Sequence, residues 1–218
     1  MRVEEVVAAR RDELTLNEQW NVGNRTNHWY AASTEFATRH LGLGSGRTCL
    51  VIGSPIFEAL ALRKQGWNVT YMDIRTPPDQ PFTVIQGDAA DMQLPDSSFD
   101  AVSSACVLTH VGTGRYGDGL DREHGDEKML AHVARVMKPG AIAALTFGAV
   151  ADLPKMVRRG DTHRIYTVAE CRRMLAAQDF KIGDMQIWSH ATKKWLEEGA
   201  PITQSINDPD YISFMVEK

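Results

Sequence analysis

The chain has 218 residues, which is enough for one domain with a sizeable core. Apolar residues make up 43% of the sequence and charged residues 24%, as in an ordinary soluble globular protein. The formal net charge of −4 argues against non-specific binding to nucleic acid or to an anionic membrane, because both need a basic surface.

Cysteine usage and the first residues indicate the compartment. The cysteines are Cys49, Cys106 and Cys171, and no pair has CxxC spacing. An odd number of cysteines without CxxC spacing argues against a disulfide framework and against a zinc site. We therefore expect the protein to reside in a reducing cytoplasm. The N-terminal segment is charged and has no apolar signal-peptide core, and no apolar stretch reaches the length of a membrane span.

The first 46 residues predict a helical cap in front of one globular domain over residues 47–218. Apolar residues at partial helical spacing begin this cap. A second helix is predicted over about 27–41, with Trp29, Phe36 and Leu41 as its apolar residues, and Gly42 ends it.

From residue 48 onward, short apolar runs alternate with helical patterns. Strands are predicted at 48–52, 68–72, 82–85, 99–108 and 141–147, and helices at about 55–66 and 125–137. Continuous apolar runs are typical of parallel strands buried on both faces. The alternation therefore predicts an α/β fold with a doubly wound, Rossmann-like sheet.

The C-terminal third predicts one more helix and two more strands. Thr167 and Glu170 have the spacing of a capping box, which begins a helix that runs to about Gln178. Strands are predicted at 180–188 and 211–216. Because no long helix need lie between these two, we expect them to be antiparallel. The complete prediction is a seven-stranded, mostly parallel sheet with a terminal antiparallel hairpin.

Three of the predicted strands end in loops that suit a nucleoside. Gly53 permits close backbone approach, and the helix that begins near Pro55 offers free amides to a carboxylate. Asp73 can accept hydrogen bonds from two ribose hydroxyls, and Asp88 can accept one from an adenine amine. Each acid alone is more often a turn or helix cap, but together at one sheet edge they predict a pocket. The predicted cofactor-binding residues are Gly53, Ser54, Pro55, Asp73, Ile74, Asp88, Ala89 and Ser104.

Several motifs, taken in chain order, resemble those of class I S-adenosylmethionine-dependent methyltransferases. They are Asp73, Gly87 with Asp88, and residues 98–102, 107–110 and 135–140. Residues 163–170 are similar to the family's usual lead-in to its last helix. The resemblance covers roughly residues 47–188. It implies this family's fold, S-adenosylmethionine as cofactor and methyl transfer as the activity.

The first glycine motif departs from the family pattern. The family usually has an acid followed by three alternate glycines, whereas Val51 stands at the acid position here and Pro55 and Phe57 replace two glycines. The acid normally helps to position the cofactor's charged amino group, so the methionine end of the pocket is in question. Together with residues 114–118 and 120–121, this motif resembles a bacterial branch of the superfamily whose function is unknown.

A glycine-rich loop over residues 112–125 follows the fourth predicted strand at the same sheet edge. We predict that it forms part of the acceptor pocket, with a solvated surface loop as the alternative. A hydroxyl acceptor needs a general base, for which a histidine is suited. His110 is the first candidate, with a structural role under the loop as an equal alternative, and His124 is the second.

Substrate contacts are predicted from this loop, from the N-terminal cap and from the segment before the last helix. The predicted residues are Trp29, Tyr30, Arg115, Tyr116, Asp118, His163 and Arg164. Trp29 and Tyr30 would belong to a lid over the cleft, and the alternative is that they dock their helix on the sheet.

The leading hypothesis is S-adenosylmethionine-dependent methyl transfer to a small polar metabolite, at oxygen, with a sugar or sugar derivative as one candidate. The first alternative is a nicotinamide-dependent oxidoreductase, in which Asp73 would also bind ribose, although the G-x-G-x-x-G motif is missing. The second is a non-catalytic scaffold, which the altered glycine motif suggests.

The predicted partner is a small-molecule acceptor, with neither nucleic acid nor a membrane, and a homodimer stays open. Asp118, Asp121, His124 and Asp126 offer ligands for a divalent ion. Because they lack tight ligand spacing, no metal is predicted.

Overall fold

The computed structural model describes residues 28–75, 79–116, 124–149, 157–159, 163–205 and 209–218. The helices in these ranges are α1 (His28–Leu41), α2 (Ile56–Lys64), α3 (Gly125–Val136), α4 (Val168–Ala176) and a short 3-10 helix (Ala89–Asp91). Each predicted helix from residue 27 onward is confirmed. The helical segment predicted before it lies outside the described residues, so the cap over residues 1–46 stays a prediction.

The strands form one large mixed sheet and one small ribbon. They are β1 (Thr48–Ile52), β2 (Asn68–Asp73), β3 (Thr83–Gln86), β4 (Phe99–Ala105), β5 (Met137–Ala149), β6 (Val157–Arg159), β7 (His163–Ile165), β8 (Lys181–Ser189), β9 (Lys194–Trp195) and β10 (Asp210–Glu217). The large sheet has the order β3-β2-β1-β4-β5-β10-β8-β9, and β6 pairs with β7. Strands β1 to β5 run parallel, whereas β10 is antiparallel to both β5 and β8.

All seven predicted strands are present, and the antiparallel terminal pair is confirmed as β8 and β10. The large sheet has an eighth strand, because the two-residue β9 pairs with the end of β8. The fourth strand stops at Ala105 rather than at residue 108, because Cys106 adopts a left-handed φ of 58°. The fifth is longer than predicted, because β4 pairs with its start at Met137 and β10 with its end at Ala149.

Both faces of the sheet are covered by helices, and β1 shows how the sequence divides between them. Leu50 and Ile52 pack into a cluster with apolar residues of α3 and α4. Cys49 and Val51, which alternate with them, pack into a second cluster with α1 and α2. Successive side chains of a strand point to opposite faces, so a continuous apolar run fills two cores at once.

Helix α4 begins as its sequence predicts. The Thr167 hydroxyl accepts a hydrogen bond from the Glu170 amide at 3.0 Å, which is the first half of a capping box. The Glu170 carboxylate accepts two hydrogen bonds from the guanidinium of Arg173, one turn along the helix. In the described parts of the chain, no helix is long and apolar enough to cross a membrane.

Candidate functional site

A cleft opens at the carboxyl ends of β1, β2, β3 and β4. Its empty space, counted out into the open mouth, is about 820 Å³. The walls come from the loops that follow these strands and from one residue of α1. The predicted site residues in these walls are Tyr30, Gly53, Ser54, Pro55, Asp73, Ile74, Asp88, Ala89, His110 and Tyr116.

The turn after β1 requires glycine at residue 53. Gly53 has a φ of 53°, in the left-handed region, and its amide donates to the Met72 carbonyl at 2.7 Å. A Cβ atom at this position would lie 2.9 Å from Cγ2 of Val107 in the loop after β4. Two loops of the cleft therefore meet at Gly53, and any side chain there would push them apart.

Ser54 fixes the first loop to both neighbouring strands. Its hydroxyl oxygen accepts a hydrogen bond from the Ala105 amide at 2.7 Å, and its carbonyl accepts one from the Tyr71 hydroxyl at 2.7 Å. The helix α2 begins directly after Pro55, so the start of a nine-residue helix adjoins the same wall. This is the geometry that favours a bound carboxylate or phosphate.

A buried carboxyl group lies behind this loop, although Val51 stands where the family has its acid. Glu58 on α2 is 1% exposed and accepts hydrogen bonds from Ser103 at 2.8 Å and Thr34 at 3.3 Å. Burial raises the pKa of Glu58 to about 6, against the opposing effect of hydrogen bonds from Ser103, Ser54 and Thr34. The acidic residue next to this loop is therefore Glu58 on α2. Its carboxyl group forms a hydrogen bond with Ser54, which lines the cleft.

Asp73 ends β2 as a nearly buried carboxylate with several partners. Arg75 donates its amide to Oδ1 at 2.9 Å, its Nε to Oδ1 at 3.0 Å and its Nη2 to Oδ2 at 3.0 Å. The Tyr71 hydroxyl lies 3.2 Å from Oδ2. Burial lowers the pKa of the Arg75 guanidinium, but the hydrogen bonds to Asp73 and the charges of Asp73, Tyr71 and Tyr116 together outweigh it, so the pKa is raised and the guanidinium stays protonated. Both carboxylate oxygens of Asp73 are thus bonded to Arg75 at the end of β2.

Asp88 ends the loop after β3 and caps the 3-10 helix. Its Oδ1 accepts a hydrogen bond from the Ala90 amide at 2.8 Å. Ala89 is buried beside it, and Met72 forms the apolar wall next to Gly87. An apolar slot with one carboxylate at its end suits a flat, amine-bearing ring.

His110 stands on the far wall, in a cluster of aromatic and cationic side chains. Its ring centroid lies 4.5 Å from that of His163 and 5.7 Å from that of Tyr116. Nη1 of Arg115 lies 2.8 Å from Nε2 of His163. The predicted residues of the reactive side, Arg115, Tyr116 and His163, are therefore brought together around His110.

Arg164, predicted to contact substrate, is instead fully buried beneath the His110 turn. Its guanidinium donates to the Val111 carbonyl, and its Nε lies 3.6 Å from Oδ2 of Asp126. The Tyr166 hydroxyl donates to the same Asp126 oxygen at 2.8 Å. Arg164 and Tyr166 follow each other at a spacing of two, so both point to Asp126. This network braces the turn and leaves Arg164 out of the cleft.

Three further predicted residues are placed away from the cleft. Trp29 is 8% exposed and stacks on Tyr211 at 4.4 Å, so it docks α1 on the sheet. His124 stands in front of α3 and pairs with Glu127 at 3.7 Å in an exposed position, which does not suit a base. Ser104 is buried, with its hydroxyl 3.5 Å from the carbonyl of the neighbouring strand. The predicted contact of Asp118 lies outside the described residues.

Sequence reasoning missed several residues of the walls. Arg75 and Cys106 line the cleft but belong to no family motif, and Val107 lines it as part of a motif without having been predicted as a site residue. The spacing of two between Asp73 and Arg75 is a signal that could have been used, because alternate residues near a strand end share a side. Nothing in the sequence marked Glu58 as buried. Within the described ranges, no group of three or more His, Cys, Asp or Glu side chains is placed to hold a metal ion.

A model of a methyltransferase domain family matches residues 40–145, which span β1 to the middle of β5. That match contains the three cleft loops and His110. The matched segment is therefore similar to a methyltransferase domain. A comparison with curated proteins finds no match.

Solved structures with this fold cover most or all of the chain. A Burkholderia thailandensis 1,6-didemethyltoxoflavin-N1-methyltransferase, bound to 1,6-didemethyltoxoflavin and S-adenosylhomocysteine, covers 100% of this chain and 91% of its own at a TM-score of 0.66 and 14% identity. The [4+2]-cyclase SpnF covers 89% and 84% at a TM-score of 0.63 and 17% identity. A methyltransferase in complex with the Haloferax volcanii Trm112 activator covers 95% and 96% at a TM-score of 0.61 and 14% identity.

The residues of the cleft fit S-adenosylmethionine, the cofactor that the sequence resemblance implies. A carboxylate stands at the end of β2, an apolar slot with a second carboxylate follows β3, and helix amides follow β1. These are the three kinds of group that a ribose, an adenine and an amino-acid carboxylate require. The close approach at Gly53 keeps the β1 loop free of side-chain bulk.

Proposed function

We propose that the protein transfers the methyl group of S-adenosylmethionine to an oxygen atom of a small polar acceptor. The observation that supports this most is the meeting of three loop ends in one cleft. Gly53, Asp73 and Asp88 lie in its walls, and His110 stands in the same cleft beyond them. Because ligands of doubly wound sheets bind at the carboxyl ends of the strands, this arrangement provides a cofactor half and an acceptor half.

The cofactor half is assigned by chemistry. Asp73 would accept hydrogen bonds from both ribose hydroxyls, and Asp88 would accept one from the adenine amine, with Ile74 against the ring. Residues 53–55 would hold the methionine end, whose carboxylate suits the start of α2. When bound, the cofactor supplies an electrophilic methyl group.

On the acceptor half, His110 is the proposed general base. Its imidazole would accept the proton from the acceptor hydroxyl as the oxygen attacks the methyl carbon. His163 lies against it, with ring centroids 4.5 Å apart, and would orient the imidazole. Tyr30 and Tyr116 would flank the acceptor, because both line the cleft. A sugar derivative is one acceptor with such a hydroxyl.

A nitrogen acceptor is the second candidate, because one structural neighbour is named as an N1-methyltransferase. A neutral nitrogen with a free lone pair does not need a base to attack. The presence of His110 in the cleft favours oxygen. The three free, buried cysteines suit a reducing compartment, so we place the activity in the cytoplasm.

Isothermal titration calorimetry tests the cofactor half. S-adenosylmethionine and S-adenosylhomocysteine should bind the wild-type protein, and NAD should not. Asp73→Asn should weaken this binding about 10-fold to 100-fold, since hydrogen bonds to a charged group contribute about 1.5–3 kcal/mol. Asp184→Asn on β8 is the matched control and should bind like wild type, because its side chain is 75% exposed. Binding of NAD alone would move the protein to the oxidoreductases.

The acceptor half is tested by transfer of a labelled methyl group to a panel of hydroxyl-bearing and amine-bearing metabolites. His110→Asn should reduce turnover of a hydroxyl acceptor by about 100-fold or more, the usual contribution of a general base. S-adenosylhomocysteine affinity should stay unchanged in this variant. Equal turnover by wild type and His110→Asn would exclude His110 as the base and favour a nitrogen acceptor. Cofactor binding without transfer to any compound would favour a non-catalytic role.

A further inference from the structure

Arg75 occupies the carboxylate that the proposed function assigns to ribose. Both oxygens of Asp73 accept hydrogen bonds from the Arg75 guanidinium at 3.0 Å, and Oδ1 also accepts the Arg75 amide at 2.9 Å. The Tyr71 hydroxyl, whose one proton goes to the Ser54 carbonyl at 2.7 Å, lies 3.2 Å from Oδ2. A carboxylate has about four lone-pair sites, and Arg75 occupies three of them. Two ribose hydroxyls can bind Asp73 only if the guanidinium leaves.

The Arg75 guanidinium already lies beside Tyr116 while it is bound to Asp73. The Arg75 side chain is 40% exposed, and its Cζ lies 4.9 Å from the ring centroid of Tyr116. Arg115 approaches the same ring, with its Cζ at 5.3 Å from the centroid. Both arginines therefore converge on one tyrosine in the wall of the cleft.

The histidines lie beside these two arginines. Nη1 of Arg115 lies 2.8 Å from Nε2 of His163, whose ring packs against His110. A guanidinium released from Asp73 would enter a wall that already holds a second guanidinium and two imidazoles. Such a wall is stable with an anion between its groups, and guanidinium groups bind carboxylates and phosphates through two parallel hydrogen bonds.

We propose that the methyl acceptor carries an anionic oxygen group, a carboxylate or a phosphate, which Arg75 and Arg115 bind beside Tyr116. Arg75 is held by Asp73 until the cofactor binds, and it then turns to the acceptor. This inference rests on the proposed function, because it needs ribose at Asp73. It predicts that cofactor and anion bind cooperatively, with the cofactor first.

Cooperativity of this kind is measurable without knowing the acceptor. Inorganic phosphate and acetate serve as probes, titrated by calorimetry into the full chain alone and into the chain saturated with S-adenosylhomocysteine. Saturation should raise the affinity for one probe about tenfold, a usual size for coupling between two sites. By linkage, the same probe must raise S-adenosylhomocysteine affinity by the same factor. Phosphate alone or acetate alone showing the effect identifies the anionic group.

Variants distinguish the role of Arg75 from the role of Arg115. Arg75→Gln should bind S-adenosylhomocysteine more tightly than wild type, because Asp73 is then free, and should lose the coupling. Arg75→Lys keeps the positive charge but cannot form two parallel hydrogen bonds, so it should retain part of the coupling. Arg115→Gln should keep S-adenosylhomocysteine affinity and lose probe affinity. Arg63→Gln, exposed near the far end of α2, is the matched control.

The possible results are distinct. Coupling that survives in Arg75→Gln, or equal probe affinity with and without S-adenosylhomocysteine, would overturn this inference and leave the proposed function standing. Weaker S-adenosylhomocysteine binding by both Arg75 variants would mean that Arg75 only positions Asp73, which also overturns it. Failure of the wild-type chain to bind S-adenosylhomocysteine would overturn the proposed function and the inference together.

Discussion

Glu58 should make the stability of the protein depend on pH in an unusual direction. Its carboxyl group is 1% exposed, and burial raises its pKa from the ordinary value of 4.5 to about 6. The folded protein therefore holds a proton in a pH range where the unfolded chain has lost it. The stabilisation from the protonated group is fully present below about pH 4.5 and is lost as the pH rises through about 6.

The size of the effect follows from the two pKa values. Each pKa unit corresponds to about 1.4 kcal/mol, so the ionised Glu58 costs about 2 kcal/mol of folding free energy above pH 7. That is a large part of the 5–15 kcal/mol by which domains of about this size are usually stable. Glu58→Gln removes the charge and keeps an oxygen that can accept from Ser103.

Urea unfolding of wild type and Glu58→Gln, followed by tryptophan fluorescence at several pH values between about 4 and 8, measures this directly. The difference in unfolding free energy should move by about 2 kcal/mol in favour of Glu58→Gln as the pH rises. Glu198→Gln, at an exposed position, should follow wild type throughout. A difference that stays constant with pH, or one that moves in favour of wild type, would refute the argument.

Three further predictions follow from single contacts. Gly53→Ala should lower S-adenosylhomocysteine affinity at least about tenfold. A residue with a Cβ costs about 1–2 kcal/mol in the left-handed conformation, and this Cβ would also contact Val107. Unchanged affinity by calorimetry would contradict this prediction. Tyr166→Phe should lose about 1–3 kcal/mol of stability in urea unfolding, because Asp126 loses a buried hydrogen-bond donor. A loss below about 0.5 kcal/mol would mean that this hydrogen bond does not stabilise the turn. Thr167→Ala should cost about 1 kcal/mol through the lost helix cap, whereas Thr167→Ser should unfold at nearly the wild-type temperature.

The sheet could be predicted from the sequence because its strands are buried on both faces. Residues 48–52 form a continuous apolar run, and that run is β1. Asp73 stands at the end of such a run, so its position at the cleft followed from the order of the strands. Asp88 follows β3, which is exposed or half-buried, so its position depended on the motif order alone. The edge strand β9 has only two residues, which is too short for a pattern.

The charged residues of the site were harder to assign, because burial decides their roles. Arg164 and Arg115 are both arginines near the same loop, yet one is fully buried with Asp126 and the other is exposed beside His163. Glu58 looks like a surface residue of an amphipathic helix until the polar groups of β4 and α1 are seen around it. Such pairings join residues that lie 24 to 53 positions apart, and no local pattern reports them.

The place of β10 in the sheet also determines when the protein can fold during its synthesis. Strand β10 lies between β5 and β8, although it follows every other strand of the sheet in the chain. It pairs with β5 from Asp210 to Glu217, opposite residues 149 to 142. Until these residues leave the ribosome, β5 and β8 each present an unpaired edge that can join other chains. Translation that stops before Asp210 would therefore yield an aggregation-prone product for the cell's proteases, and not a slightly shorter enzyme.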